Sequence, residues 1–202
     1  MNFKNTALIL VGYQNDYFAK DGILRGVIEE PGRVDQVLEN TVRLIEALRD
    51  TQATIISTPI VLKPDYRALA SPVGILHAIK ESGAFAFGSP GAETIPEIAA
   101  FGDRIRYVTG KVGFNGFSGT QLDEVLKENG ITKVMLAGMV TSLCIDSTGR
   151  AAYERGYSVT VLSDCTSSRT PTEQEFFCST VFPLYGSAKT STDILAEATA
   201  TA

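Results

Sequence analysis

The chain predicts a three-layer α/β/α domain on a six-stranded, mostly parallel Rossmann-like sheet. Apolar runs of strand length recur at 7–11, 54–57, 105–109, 133–137 and 158–162, with a weaker one at 187–189. Most are continuously apolar rather than alternating, as strands covered on both faces must be. Helical patterns separate them, and neither a linker nor an internal repeat interrupts the 202 residues, so a single domain over 1–202 is expected.

The first strand empties into the polar, aromatic loop Gly12-Tyr13-Gln14-Asn15-Asp16-Tyr17-Phe18. Before the second strand, Val34, Val37, Leu38, Val42, Ile45 and Leu48 fall on one stripe at helical spacing, which makes a βαβ unit. Residues 58–96 break the alternation. Pro59, Pro64, Pro72, Pro90 and Pro96, with several glycines, cannot form long regular elements, so a partly helical excursion over the sheet is expected. It serves either as a pocket wall or as a packing loop.

Ser118 and Gln121 have capping-box spacing, flanked by Phe117 and Leu122 as a hydrophobic staple, and Gly130 ends that helix. A further helix over 142–155 stops at Gly156. Thr170, Pro171 and Glu173 mark another start, with proline at the first helical position.

Composition narrows the function classes. A net charge of -5 and a pI near 5.0 oppose binding to a polyanion, and no basic stripe overrides this, so nucleic acid is not an expected partner. No apolar run reaches the roughly 20 residues of a membrane helix. The opening Met1-Asn2-Phe3-Lys4-Asn5 lacks a signal-like apolar stretch, so a cytoplasmic location is expected. Cys144, Cys165 and Cys178 are an odd number at irregular spacing, which suits reduced thiols. His77 is the only histidine, which rules out a His-His metal site within the chain, and its setting reads as structural.

Chemistry concentrates at two residues. Cys144 follows the strand at 133–137 and opens a helix, where the macrodipole and free amides favour a thiolate and could cradle an oxyanion. The alternative is a small buried hydrophobe. Lys111 closes the third strand, with Phe114 and Phe117 nearby to desolvate it, and its alternative is a solvated surface charge. Cys165 reads as a turn residue just past a strand, and Cys178 as part of an apolar helix face.

Four motifs in order make the resemblance specific. Val11-Gly12-Tyr13-Gln14-Asn15-Asp16-Tyr17-Phe18, Pro90-Gly91-Ala92-Glu93, Lys111 with Phe117, and Gly138-Met139-Val140-Thr141-Ser142-Leu143-Cys144 resemble motifs of the isochorismatase-like cysteine hydrolase superfamily. The match runs from about Thr6 to Leu195 and is poor over 59–83.

The resemblance implies an Asp-Lys-Cys site, with Cys144 as nucleophile, Lys111 as the adjacent cation and a cis peptide between Met139 and Val140. That bond turns the Val140 and Cys144 amides toward a substrate carbonyl oxygen. Gln14, Tyr17, Phe18, Phe114, Phe117 and Thr141 are the expected substrate contacts. Relatives hydrolyse C–N bonds of amides, ureides or carbamoyl compounds, and retention of the cysteine favours an amidase-like reading. Nicotinamidase relatives bind a metal after the second strand, where Ser57-Thr58-Pro59-Ile60-Val61 offers no such ligands, so no metal and no cofactor are expected.

Gly12 stands where the family has its Asp. That carboxylate would accept the thiol proton and return it to the leaving nitrogen, typically a 10²- to 10⁴-fold contribution. Asp16 matches the family's own second Asp and is no substitute by sequence. Gly12 therefore fits an altered enzyme in which water, substrate or another carboxylate moves the proton, a binding protein with a decayed site, or an introduced substitution.

Three functions compete: a hydrolase of amide-like or activated carbonyl bonds, a non-catalytic ligand-binding or regulatory protein using space opened at Gly12, and a redox-responsive thiol protein. The last lacks a Cys-x-x-Cys partner. The resemblance also implies a small-molecule substrate and a homodimer or homotetramer.

Overall fold

The computed structural model describes residues 3–69 and 71–199. It contains one six-stranded sheet in the order β3-β2-β1-β4-β5-β6. The strands are β1 (Thr6–Val11), β2 (Thr54–Thr58), β3 (Arg106–Tyr107), β4 (Lys133–Met139), β5 (Ser158–Ser167) and β6 (Ser187–Lys189). All five pairings are parallel, which sharpens the mostly parallel expectation.

β1 shows why the layers form. All six of its residues are buried, and alternate side chains feed different cores. Leu8 and Leu10 join one apolar cluster, while Ala7, Ile9 and Val11 join the other. A strand with two covered faces favours apolar side chains, hence the unbroken apolar run from Ala7 to Val11 after the buried Thr6.

The first layer holds α1 (Asn15–Phe18), α2 (Pro31–Ala47), α3 (Gly74–Ser82) and α4 (Pro96–Ala99). Val34, Val37, Leu44, Ile45 and Leu48 are fully buried along the α2 stripe, and each such side chain contributes at most about 1.5–3 kcal/mol. The opposite layer holds α5 (Leu122–Glu128) and α6 (Asp146–Glu154). α7 (Pro171–Phe176) and α8 (Ser191–Thr199) complete the chain, and Ile194 of α8 packs into the first layer.

Several sequence expectations change. The 118–121 capping box does not form: α5 begins at Leu122, and the Thr120 hydroxyl accepts from the Leu122 amide at 3.3 Å. The helix expected over 142–155 is instead a wide π turn, Thr141–Ile145, followed by α6. Cys165 lies inside β5, because that strand runs five residues beyond the expected end at Leu162. Its extension pairs with the end of β4 across a register shift between Leu136 and Gly138. β3 keeps only two residues. The Thr170 cap forms as expected, its hydroxyl accepting from the Glu173 amide at 3.1 Å.

The sheet order reverses between β1 and β4, since the chain moves outward from β1 through β2 and β3, then returns and moves the other way. In open parallel sheets ligands bind beyond the carboxyl ends of strands at such a reversal. Gly12 follows β1, and Val140 follows β4, at that place.

Candidate functional site

The excursion after β2 is tied down by the residues that follow Gly12. Gln14 Nε2 donates to the carbonyls of Ile60 and Ala92, each at 2.7 Å, and its Oε1 accepts from the Ile60 amide at 2.8 Å. Asn15 Nδ2 donates to the Pro90 carbonyl at 2.8 Å. Asp16 Oδ2 accepts from the Phe85 amide at 2.6 Å, and its carboxylate lies against Gly91 so closely that a Cβ there would overlap it. The Gln-Asn-Asp and Pro-Gly motifs thus form a clamp, and the expected substrate contact at Gln14 gives way to a structural one.

The residues directly after β2, Pro59-Ile60-Val61, offer neither carboxylate nor imidazole, and Gln14 occupies the Ile60 backbone. These residues do not fit the metal bound by nicotinamidase relatives. His77 is exposed on α3.

Lys111 enters from the third strand's end, where Ile60 and Lys111 form an isolated parallel bridge. Its side chain is fully buried. Nζ donates to the Gly113 carbonyl at 2.6 Å and lies 3.6 Å from Cys144 Sγ, also within hydrogen-bond reach. Burial lowers the Lys111 pKa, and the neighbouring Cys144 opposes that shift. The loop carrying Gly113 is clipped to α6, with the Gly116 amide donating to Thr148 Oγ1 at 3.0 Å. Sequence reasoning passed over Thr148, because nothing local marks a helix threonine as a loop anchor.

Cys144 lies in the turn between β4 and α6 and is nearly inaccessible, at 3% exposure. The Met139–Val140 peptide is cis, as the resemblance implies. Thr141 is fully buried between that bond and Cys144, and its Oγ1 has no hydrogen-bond partner among the described residues.

The position of the absent carboxylate leaves little room for a first side-chain carbon. Gly12 has φ +74°, and a Cβ on it would lie 3.3 Å from the Met139 carbonyl oxygen and 3.4 Å from Tyr17 Cδ2. The Tyr17 ring borders the space expected to open at Gly12, and is itself buried and tilted against Phe85 with centroids 5.3 Å apart. Burial first, then the Cys144 and Asp16 charges, hold the Tyr17 hydroxyl well above its ordinary pKa, so it remains neutral. Gly12→Asp is therefore expected to cost about 1–2 kcal/mol, since a side chain in the left-handed region is strained and here also meets two neighbours. Urea denaturation of the two proteins measures this.

The other expected contacts separate. Phe18 stacks on Tyr13 at 4.7 Å within the first-layer core. Phe117 stacks on Tyr157 at 6.2 Å, with the Arg155 guanidinium 4.8 Å from its ring centre. Both are packing residues. Half-buried Phe114 packs against the cluster that contains Cys144.

The remaining cysteines are chemically quiet. Burial raises the Cys165 thiol to about 12 and the Cys178 thiol to about 11. Both stay protonated through neutral pH, so in intact-protein mass spectrometry after iodoacetamide treatment near pH 8 neither is expected to label until the fold opens.

A family model, the Isochorismatase domain, matches residues 6–193. The chain belongs to the isochorismatase family. It is also similar to individual relatives and to a solved structure. It is 28% identical over 172 residues to a protein of Arabidopsis thaliana named "probable inactive nicotinamidase", covering 84% of each chain. It is 27% identical over 183 residues to the ureidoacrylate amidohydrolase RutB of Methylorubrum extorquens, covering 82% of this chain and 71% of the relative. Its fold is similar to the crystal structure of a cysteine hydrolase from Pseudomonas syringae pv. phaseolicola, with a TM-score of 0.82 at 22% identity, covering 97% of this chain and 93% of the other. The isochorismatase fold thus accounts for the three layers and six strands. Within it, this chain brings Lys111, Cys144, Thr141 and the cis peptide together, sets Tyr17 beside Gly12, and keeps Gln14, Phe18 and Phe117 for packing.

Proposed function

We propose that this protein is a small-molecule cysteine hydrolase that acts on an amide-like C–N bond or an activated carbonyl through Cys144. One observation carries the reading: Lys111 Nζ lies 3.6 Å from Cys144 Sγ at the sheet's topological switch point, in a site dry enough for each charge to matter. A thiolate attacks the carbonyl carbon, and backbone amides beside the cis peptide stabilise the oxygen as it gains charge. Thr141 Oγ1, buried without a hydrogen-bond partner among the described residues, is the side-chain group left to hydrogen-bond a substrate.

Incubating the protein with small amides and activated esters, then measuring intact mass and mapping peptides, tests this. An acyl adduct on Cys144 with turnover is the expected result, and neither adduct nor turnover from any of them ends the reading.

Gly12 favours a second reading, a non-catalytic ligand-binding or regulatory member of the fold, and the similarity to a relative named as inactive supports it. The Tyr17 ring and the Met139 carbonyl close beside Gly12 count against a bulky ligand there. Turnover that depends on Cys144 would end this alternative.

A further inference from the structure

We propose that Lys111 is the proton carrier of this site, taking the proton of the Cys144 thiol and delivering it to the leaving nitrogen. The substrate step rests on the hydrolase reading above; the proton sharing between the two side chains stands without it.

Three observations point there. Among the described residues no carboxylate hydrogen-bonds the sulfur or the ammonium: position 12 is glycine, with Tyr17 and the Met139 carbonyl beside it, and Asp16 accepts from the Phe85 amide and packs on Gly91. Lys111 is fully buried, and none of the ion pairs among the described residues includes it. Its ammonium is contacted by two groups, the Gly113 carbonyl and the Cys144 sulfur.

Charge balance then restricts the pair. An isolated buried ammonium costs several kcal/mol, and so does an isolated thiolate, so the two side chains must be neutral as a unit. Amine with thiol and ammonium with thiolate both satisfy this, and one proton crossing from sulfur to nitrogen converts the first into the second. The hydrogen-bond inventory agrees. A neutral amine has two N–H groups and one lone pair; one N–H serves Gly113, and the lone pair is available to the thiol. Where an Asp is present it can hold this proton, but here, among the described residues, the lysine is the base hydrogen-bonded to the sulfur. Burial lowers the Lys111 pKa, which makes its ammonium a readier proton donor to the leaving nitrogen.

The cycle balances. The amine takes the thiol proton, leaving ammonium and thiolate. The thiolate forms a C–S bond to the carbonyl carbon, and the carbonyl π pair moves to oxygen. As that pair returns, the C–N bond breaks, the nitrogen takes the ammonium proton, and a thioester and neutral Lys111 remain. Water then adds to the thioester as Lys111 takes one of its protons. Collapse expels the Cys144 thiolate and releases the carboxylic acid, restoring the ammonium-thiolate pair.

The test has two arms. In the first, the unmodified protein is alkylated with iodoacetamide at a series of pH values and labelling of Cys144 is followed by mass spectrometry. A shared proton predicts a rate nearly flat across neutral pH, whereas Lys111→Met gives a single rise with pH. A single rise near an ordinary thiol pKa, about 8.5, in the unmodified protein would overturn the proposal. In the second arm, acylation is compared for a p-nitrophenyl ester, whose leaving group needs no proton, and a p-nitroanilide, whose nitrogen does. Lys111→Arg keeps the positive charge but does not release its proton. It is expected to lower anilide acylation about 10²-fold or more while ester acylation stays within about tenfold. Equal effects on both substrates would show a fixed cation and overturn the proposal. If the unmodified protein acylates with neither substrate, the hydrolase reading fails by itself, and the alkylation profile still decides the proton sharing. Should Lys111→Arg not fold, the profile of the unmodified protein decides alone.

Discussion

Replacing Cys144 with alanine is expected to abolish acyl adducts and to lower turnover of any small amide or ester substrate by about 10³-fold or more. In the proposed reaction the Cys144 thiolate creates the covalent route and the groups around it act on the charges that route develops, so its loss is not compensated. Cys165 and Cys178 do not substitute, because burial keeps both protonated, Cys165 up to about 12 and Cys178 up to about 11. The folding effect should be small, near 1 kcal/mol, since only one sulfur leaves a packed site. Comparing single-turnover acylation with a thermal melt separates the two effects: adducts that persist on the alanine variant would remove Cys144 from the chemistry.

Gly138→Ala is expected to produce the largest loss of stability, about 3 kcal/mol or more, and a fall in Tm of about 6–12 °C. Two independent features combine there. Gly138 has φ +124°, which a side chain rarely adopts, and a Cβ would overlap the Val11 carbonyl oxygen across the β1–β4 pairing. The chain can relieve this only by separating the two central strands, which also moves Gly12 from Met139. Urea denaturation followed by circular dichroism checks it, and a variant within about 0.5 kcal/mol of the parent would show that the strands yield more easily than their close approach implies. Both predictions concern the same few ångströms, because the close strand contact at Gly138 supports the turn that carries Cys144.

Much of this arrangement was legible in the residues. The two-sided burial of β1 and the apolar stripe of α2 follow from periodicity, since a side chain's face is set by its position in the repeat. Thr170 and Pro171 started a helix as expected, because capping is satisfied within one turn. Capping at Ser118 failed because the loop folds differently: the Thr120 hydroxyl serves the Leu122 amide and also donates to the Gly116 carbonyl at 2.6 Å. β5 outran its apolar run because β4 supplied hydrogen-bond partners as far as Met139, which lets polar Thr166 and Ser167 remain in a ladder.

The site divides in the same way. Lys111, Cys144 and the Gly138 to Cys144 turn could be singled out from residue type and order, because a thiol, an amine and an amide-rich turn are each chemically distinct. Whether aromatic residues lined a pocket could not. Phe117 and Phe18 are as apolar as Phe114, and only their neighbours, Tyr157 and Tyr13, assign them to the cores. Gln14, read as a substrate contact, proved to be a clamp because its partners, Ile60 and Ala92, lie 46 and 78 residues away.

By itself the sequence determined the α/β layering, the thiol and amine, and the absence of a carboxylate at position 12, since these depend on residue identity and short-range repeat. The tertiary structure decided what that absence means. It placed Tyr17 against Gly12, turned Asp16 to the Phe85 amide, and buried Lys111 against the Cys144 sulfur. The physical reason is that a proton moves between groups according to distance, burial and neighbouring charge, and those are set where distant parts of the chain meet.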